Sequence, residues 1–296
     1  MSDFVRVVEV SPRDGLQNEA HQVETHTKVE LIKRLDNAGL PMIEATGFVS
    51  PKWVPQLADA VDVIHALPEL KADITALVPN QRGMMAAIDC GLKEIAVFTA
   101  ASESFTNKNI NCSIEESLQR FDTIIQLAQQ HNIKVRAYIS CVLGCPYEGD
   151  IQAQVVADIA QQLAHSGCYE ISLGDTIGTG NPRSMTQLIT CCTQQVAVDK
   201  LAVHCHDTYG QALANVYAAL EQGVRTVDAS VAGLGGCPYA PGASGNLSTE
   251  DLVYMLHGCG YETGIDLHSL VQTGQWISQT INRTNYSKVG ATFRAN

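Results

Sequence analysis

Short runs rich in β-branched residues alternate along this chain with longer segments of helical apolar spacing, and that alternation restricts it to folds with a parallel sheet. Eight such runs are read, at residues 6–10, 42–45, 73–78, 94–99, 134–140, 170–174, 201–206 and 226–231. Between them lie helical patterns such as Val29, Leu31, Ile32 and Leu35, or Ile114, Leu118, Phe121, Ile124, Ile125 and Leu127. Gly39, Gly91, Gly167 and Gly223 each stand four residues before a β-branched strand residue: Ile43, Ile95, Ile171 and Val227. This is the punctuation of a helix ending in a C′ glycine and a short loop. It falls on the second, fourth, sixth and eighth runs, as a barrel grown from paired βα units would show. An open doubly wound sheet is the alternative, but no glycine-rich dinucleotide fingerprint follows the first run. The expectation is an α/β chain forming one (β/α)8 TIM barrel over 1–296, with residues from about 258 onward packed on it as extra helices.

Composition narrows the partners. A net charge of −12 with no basic run opposes nucleic-acid binding, which needs clustered Lys and Arg. An anionic substrate must therefore meet a local positive site. The ten cysteines lack the paired spacing of a disulfide scaffold and read as reduced thiols. The first strand-like run leaves no room for a targeting segment, and no apolar stretch approaches a membrane span, so a cytoplasmic location is expected.

Active sites of parallel barrels gather at the carboxyl ends of the strands. Here those ends are polar: Ser11, Pro12, Arg13, Asp14 and Gly15 after the first run, Glu44 in the second, Asp175 after the sixth, and His204 to Asp207 at the seventh. His204 and His206 are two apart on a strand, so both imidazoles face one side while Cys205 faces the other. Two imidazoles and the Asp14 carboxylate make a mixed site suited to Mg2+ or Mn2+, with Zn2+ also conceivable. The competing reading is a pair of hydrogen-bonded core histidines, against which their place opposite Arg13 and Asp14 argues. Neighbours in extended chain point apart, so Arg13 and Asp14 reach a common mouth only through a turn, which Gly15 permits. A permanent guanidinium there suits an enolate oxygen.

The glycine-rich stretch 232–246 follows the eighth run. Cys237 is the one thiol set in such flexible backbone, fit to deliver a proton, whereas the other nine cysteines read as small buried apolar residues. By spacing alone Asn246 is either an amide-oxygen ligand or a helix cap, the cap being favoured.

With these residues in place, the chain resembles the 3-hydroxy-3-methylglutaryl-CoA lyase family over nearly its whole length. The opening VEVSPRDGLQNE at 8–19 is similar to the family's, and SVAGLGGCPY at 230–239 matches its active-site cysteine signature without a mismatch. Segments 144–149, 174–178 and 204–210 are also family-like, and Ser11 replaces a frequent glycine. The resemblance implies Asp14, His204, His206 and Asn246 as ligands of Mg2+ or Mn2+, Arg13 in substrate contact, and catalytic or supporting roles for Arg13, Glu44, Asp175 and Cys237. It further implies an acyl-CoA substrate, coenzyme A contacts within 102–112, a homodimer, and a place in leucine breakdown. Rival readings are an acyl-CoA-condensing synthase of the isopropylmalate or homocitrate type, a lyase for a bulkier 3-hydroxyglutaryl-CoA, and a non-catalytic metal-binding scaffold.

Overall fold

The computed structural model describes residues 3–19, 21–236 and 245–292. Strands and helices alternate: β1 (Arg6–Glu9), α1 (Thr25–Asn37), β2 (Met42–Gly47), α2 (Ala60–Ala66), β3 (Asp73–Leu77), α3 (Gln81–Asp89) and β4 (Glu94–Ala100). A two-helix connection follows, α4 (Glu103–Ile110) and α5 (Ile114–Gln130), then β5 (Lys134–Ser140), α6 (Ala153–Ser166), β6 (Glu170–Asp175) and α7 (Pro182–Cys192). The last units are β7 (Leu201–Cys205), α8 (Ala212–Glu221), β8 (Thr226–Ala229) and α9 (Thr249–Gly258).

The eight strands close into a parallel barrel in chain order, β8 returning beside β1 with Val7 opposite Val227. This is the expected (β/α)8 barrel. The four punctuating glycines, Gly39, Gly91, Gly167 and Gly223, all adopt positive φ, between 73° and 115°, where a Cβ would be costly. Helix starts are equally local in origin. Ser113 and Glu116 form a capping box at α5, and Asn181 accepts from Arg183 and Ser184 at α7.

Helices lay apolar stripes on the strands, so α1 buries Leu31, Ile32 and Leu35 and α5 buries Phe121, Ile124 and Ile125. Cys205 joins this shell, as strand alternation requires. The barrel interior instead mixes small apolar clusters, Val8 with Val10 and Met42 and Leu77 with Ala96 and Tyr138, with buried charge. Arg136 of β5 is fully buried, bonding Glu170 at 2.6 Å and Asp228 at 2.6 Å. Deleting one partner of such a pair costs about 3–5 kcal/mol, because a bare charge is left in the core.

Beyond α9 come α10 (Leu267–Thr280) and α11 (Lys288–Thr292). Helix α10 packs on α1 and on the turn after β8. Among the described residues no helix is long and apolar enough to cross a membrane. One expectation needs correction: Cys259, just past the last turn of α9, is exposed, and Cys90 and Cys191 are partly so, because they sit at the outward ends of helices rather than under them.

Candidate active site

The turn after β1 delivers two adjacent charged side chains to one place. Residues Ser11–Gly15 form a π-helical turn in which the Gly15 and Asp14 amides both return to the Val10 carbonyl. Gly15 is required for space, since a Cβ there would lie 2.8 Å from Ser230 Oγ and 2.9 Å from Leu234 Cβ. The turn swings Arg13 and Asp14 together, and Arg13 donates to Asp14 Oδ1 at 2.7 Å. Its Nε donates to Glu44 Oε2 of β2 at 2.6 Å. Burial opposes the guanidinium's charge, but Glu44 and Asp14 outweigh it and raise the Arg13 pKa.

His204 within β7 and His206 just after it put their rings 5.4 Å apart on the same side of the strand. Among the described residues, Asp14, His204 and His206 form the one cluster able to hold a metal, with ligand atoms all within 4.8 Å of one another. Burial alone would raise the Asp14 pKa, yet Arg13 and the two imidazoles hold it down at about 2. Burial, with the neighbouring His204 charge, lowers His206 to about 4, so this ring is neutral and available to a cation at physiological pH.

Asn246 is set by tertiary pairing. The stretch after the glycine-rich segment lies along β7: the Leu247 amide bonds the Cys205 carbonyl at 3.0 Å and the Asp207 amide bonds the Gly245 carbonyl at 2.8 Å. Both N–H bonds of the Asn246 amide are used, one on Asp14 Oδ2 at 2.8 Å and one on the Leu234 carbonyl at 3.1 Å. Its orientation is thereby determined, and Oδ1 is left buried with no partner. A buried, partnerless amide oxygen on a side chain bonded to the Asp14 carboxylate is what a divalent cation would satisfy. The N-cap position of α9 is Ser248, whose hydroxyl bonds Glu250, so Asn246 lies two residues before the cap and the cap reading is set aside.

Asp175 closes β6, beside β7, with Oδ1 buried and unpartnered and Oδ2 accepting from the Gly180 amide at 3.0 Å. Burial raises its pKa to about 6, the Gly178–Gly180 amides working the other way. Cys237 lies outside the described residues.

The HMGL-like family pattern matches residues 4–277. The chain belongs to the HMGL-like family. A Bos taurus protein named hydroxymethylglutaryl-CoA lyase, mitochondrial, is 58% identical over 286 residues, covering 96% of this chain and 88% of that one. The crystal structure of hydroxymethylglutaryl-CoA lyase from Pseudomonas aeruginosa superposes with a TM-score of 0.96 at 50% identity, covering 98% of this chain and 97% of that one. An HMG-CoA lyase from Acinetobacter baumannii in complex with coenzyme A and 3-methylmalate gives 0.94 at 35% identity, with 100% and 97% covered.

Sequence reasoning missed the support beneath the candidate ligands of this HMGL-like barrel. Asp228 of β8 stands 3.4 Å from His204 Nδ1, an ion-pair distance too long for a well-made hydrogen bond, while Ser172 and Arg136 hold its carboxylate at 2.6 Å each. Burial disfavours protonated His204, but Asp228 and Asp14 prevail and raise its pKa. Tyr138 lies edge-on to His204, with its hydroxyl buried and unpartnered. The available signal was charge inside an apolar strand: Arg136 and Asp228 sit mid-run, where a lone buried charge is unaffordable without a partner. Around 102–112, Ser102 caps α4 and contacts Cys145, and Lys108 lies 3.6 Å over the Tyr147 ring.

Proposed function

We propose that this chain cleaves 3-hydroxy-3-methylglutaryl-CoA to acetyl-CoA and acetoacetate, the reaction named for the relatives above. The observation that carries the reading is the convergence of Asp14, His204, His206 and the partnerless Asn246 Oδ1 beside Arg13 and Asp175. These four ligands would hold Mg2+ or Mn2+, which when bound supplies Lewis acidity toward the C3 hydroxyl and a neighbouring substrate oxygen.

The protein's own groups then divide the work. Asp175, ionised above about pH 6 and with a free buried oxygen, accepts the C3 hydroxyl proton. The hydroxyl oxygen's electron pair becomes the ketone of acetoacetate as the C2–C3 bond breaks. The bond's electrons pass to the thioester, whose oxygen becomes anionic, and Arg13 is placed to stabilise it. Glu44 holds Arg13 from the side away from Asp14 and acts by positioning it. Cys237 protonates C2 of the acetyl-CoA enolate, and its thiolate recovers a proton from solvent.

Coenzyme A is assigned to the mouth near 102–112, a homodimer is the proposed assembly, and leucine breakdown is the proposed context. The cytoplasm is the proposed compartment, consistent with the free thiols of the described cysteines, although the bovine relative is named mitochondrial.

The test is product analysis with 3-hydroxy-3-methylglutaryl-CoA. Acetoacetate should accumulate with Mg2+ or Mn2+, stop with chelator, and resume on adding metal back. No acetoacetate under any metal overturns the reading, and a higher kcat/KM on a longer C3 substituent overturns the substrate while leaving the reaction class.

A further inference from the structure

We propose that Arg283, in the extension beyond α10, is a positioning residue for the metal-binding end of the site, acting through the backbone of Leu234 and Gly235. The proposal rests on the metal site argued above and concerns how the Asn246 amide is aimed.

The turn after β8 is built from conformations the chain does not adopt freely. Ala232 has φ +58°, Gly233 +61° and Gly235 +113°. Ala232 carries a Cβ and is costly there, so its neighbours must hold it. They do so from two sides: the Ala232 amide donates to both Glu250 oxygens, at 3.0 and 2.9 Å, and its carbonyl accepts from the Tyr286 amide at 3.0 Å. Three residues further on, the Gly235 carbonyl of the same turn is held by a charge. Arg283 donates to the Gly235 carbonyl at 2.6 Å, pairs with Glu19 through another nitrogen, and lies 5.8 Å from the Tyr286 ring.

One guanidinium therefore joins the segment after β1, the turn after β8 and the C-terminal extension. Arg283 fixes the Gly235–Gly236 peptide through its carbonyl, and the adjoining Leu234–Gly235 peptide faces Asn246. The Leu234 carbonyl takes one Asn246 N–H at 3.1 Å, and a Cβ on Gly235 would lie 2.5 Å from Asn246 Nδ2. The same turn backs the Asp14 segment, since a Cβ on Gly15 would meet Leu234. If the peptide tilts, the Asn246 amide loses one of the two acceptors that fix its orientation, and with it the aim of Oδ1. Arg283 touches neither ligand nor substrate, so its effect belongs to metal affinity. An arginine suits this role because its planar fork serves a carbonyl and a carboxylate at once, which an ammonium does less well.

The experiment measures Mn2+ binding to metal-free protein by titration calorimetry, well below the melting temperature, with the metal-free melting curve recorded in parallel. The full chain is used throughout. Wild type should bind one Mn2+ and Asp14→Ala should not; failure of that pair of results overturns the metal site itself. Given that pair, Arg283→Met should weaken Mn2+ about tenfold, the low end of the loss seen when support behind a ligand is removed. Arg283→Lys should recover part of the loss, and Glu19→Gln should weaken binding by a smaller factor. Wild-type Mn2+ affinity in folded Arg283→Met overturns the proposal. Should that variant not fold, unchanged affinity in both Arg283→Lys and Glu19→Gln overturns it equally.

Discussion

The Asn246 side chain gives one N–H to Asp14 Oδ2 at 2.8 Å and its other N–H to the Leu234 carbonyl, so its oxygen lies buried and without a partner. An amide that serves a carboxylate with one end and offers an acceptor with the other couples two ligands into one unit. Replacing Asn246 by Ala should therefore weaken Mn2+ by a factor of about ten to a hundred, with loss of Asp14 orientation included. Calorimetric titration checks this.

Metal binding should also depend on pH in a stated direction. The His204 pKa lies above its ordinary value, whereas His206 stays neutral down to about 4. Because a ligand imidazole must be neutral, falling pH protonates His204 first and Mn2+ affinity drops with it, while His206, neutral down to about 4, contributes nothing to the slope. Titrations from pH 5.5 to 8.5 in two buffers of different protonation enthalpy should show close to one proton released at the acid end, a range of roughly three pH units chosen to span histidine titration. Two protons released would contradict the separation of the two rings.

Arg13 grips Glu44 through Nε and Asp14 through a terminal nitrogen, a geometry an ammonium cannot reproduce. Arg13→Lys should lower kcat by about a hundredfold to a thousandfold, comparable to loss of one oxyanion donor, while Mn2+ still binds. Steady-state kinetics decide the matter, and a change confined to KM would remove Arg13 from the bond-breaking step.

The proton acceptor sets the acid limb of the rate. Burial brings Asp175 to about 6, so the base is ionised above that pH and protonated below it. Turnover should be flat above about 6 and fall tenfold per unit below, at saturating metal and substrate. Asp175→Asn should abolish the limb along with most of the activity. A limb that persists in the residual rate of the variant would assign it to another group.

Cys237→Ser should retain Mn2+ and substrate affinity yet lose turnover by at least about a hundredfold, the low end of the range for losing a positioned acid. Deuterium incorporation into the acetyl product in D2O reports the same step. Normal turnover would eliminate the thiol as proton donor.

Much of this was legible before any coordinates. The eight strands appear within one or two residues at most of their ends, because strand and helix periods are local properties of side-chain order. The misses are instructive: the eighth run was read through Val231, but the strand stops at Ala229, and the following turn is held in left-handed conformations by Glu250 and Tyr286. Helix α4 was read only as a family-like segment, since eight residues carry little periodicity.

Sequence by itself determined the barrel, the polar strand ends, and the shared face of His204 and His206, because each follows from alternation within one element. Only the tertiary structure decided that Asn246 donates to Asp14 and Leu234 rather than capping a helix, that Asp228 backs His204, and that Arg283 braces a turn forty-eight positions earlier in the chain. Those choices depend on which donors and acceptors meet across the closed barrel, and a one-dimensional pattern records no distance between residues brought together by folding.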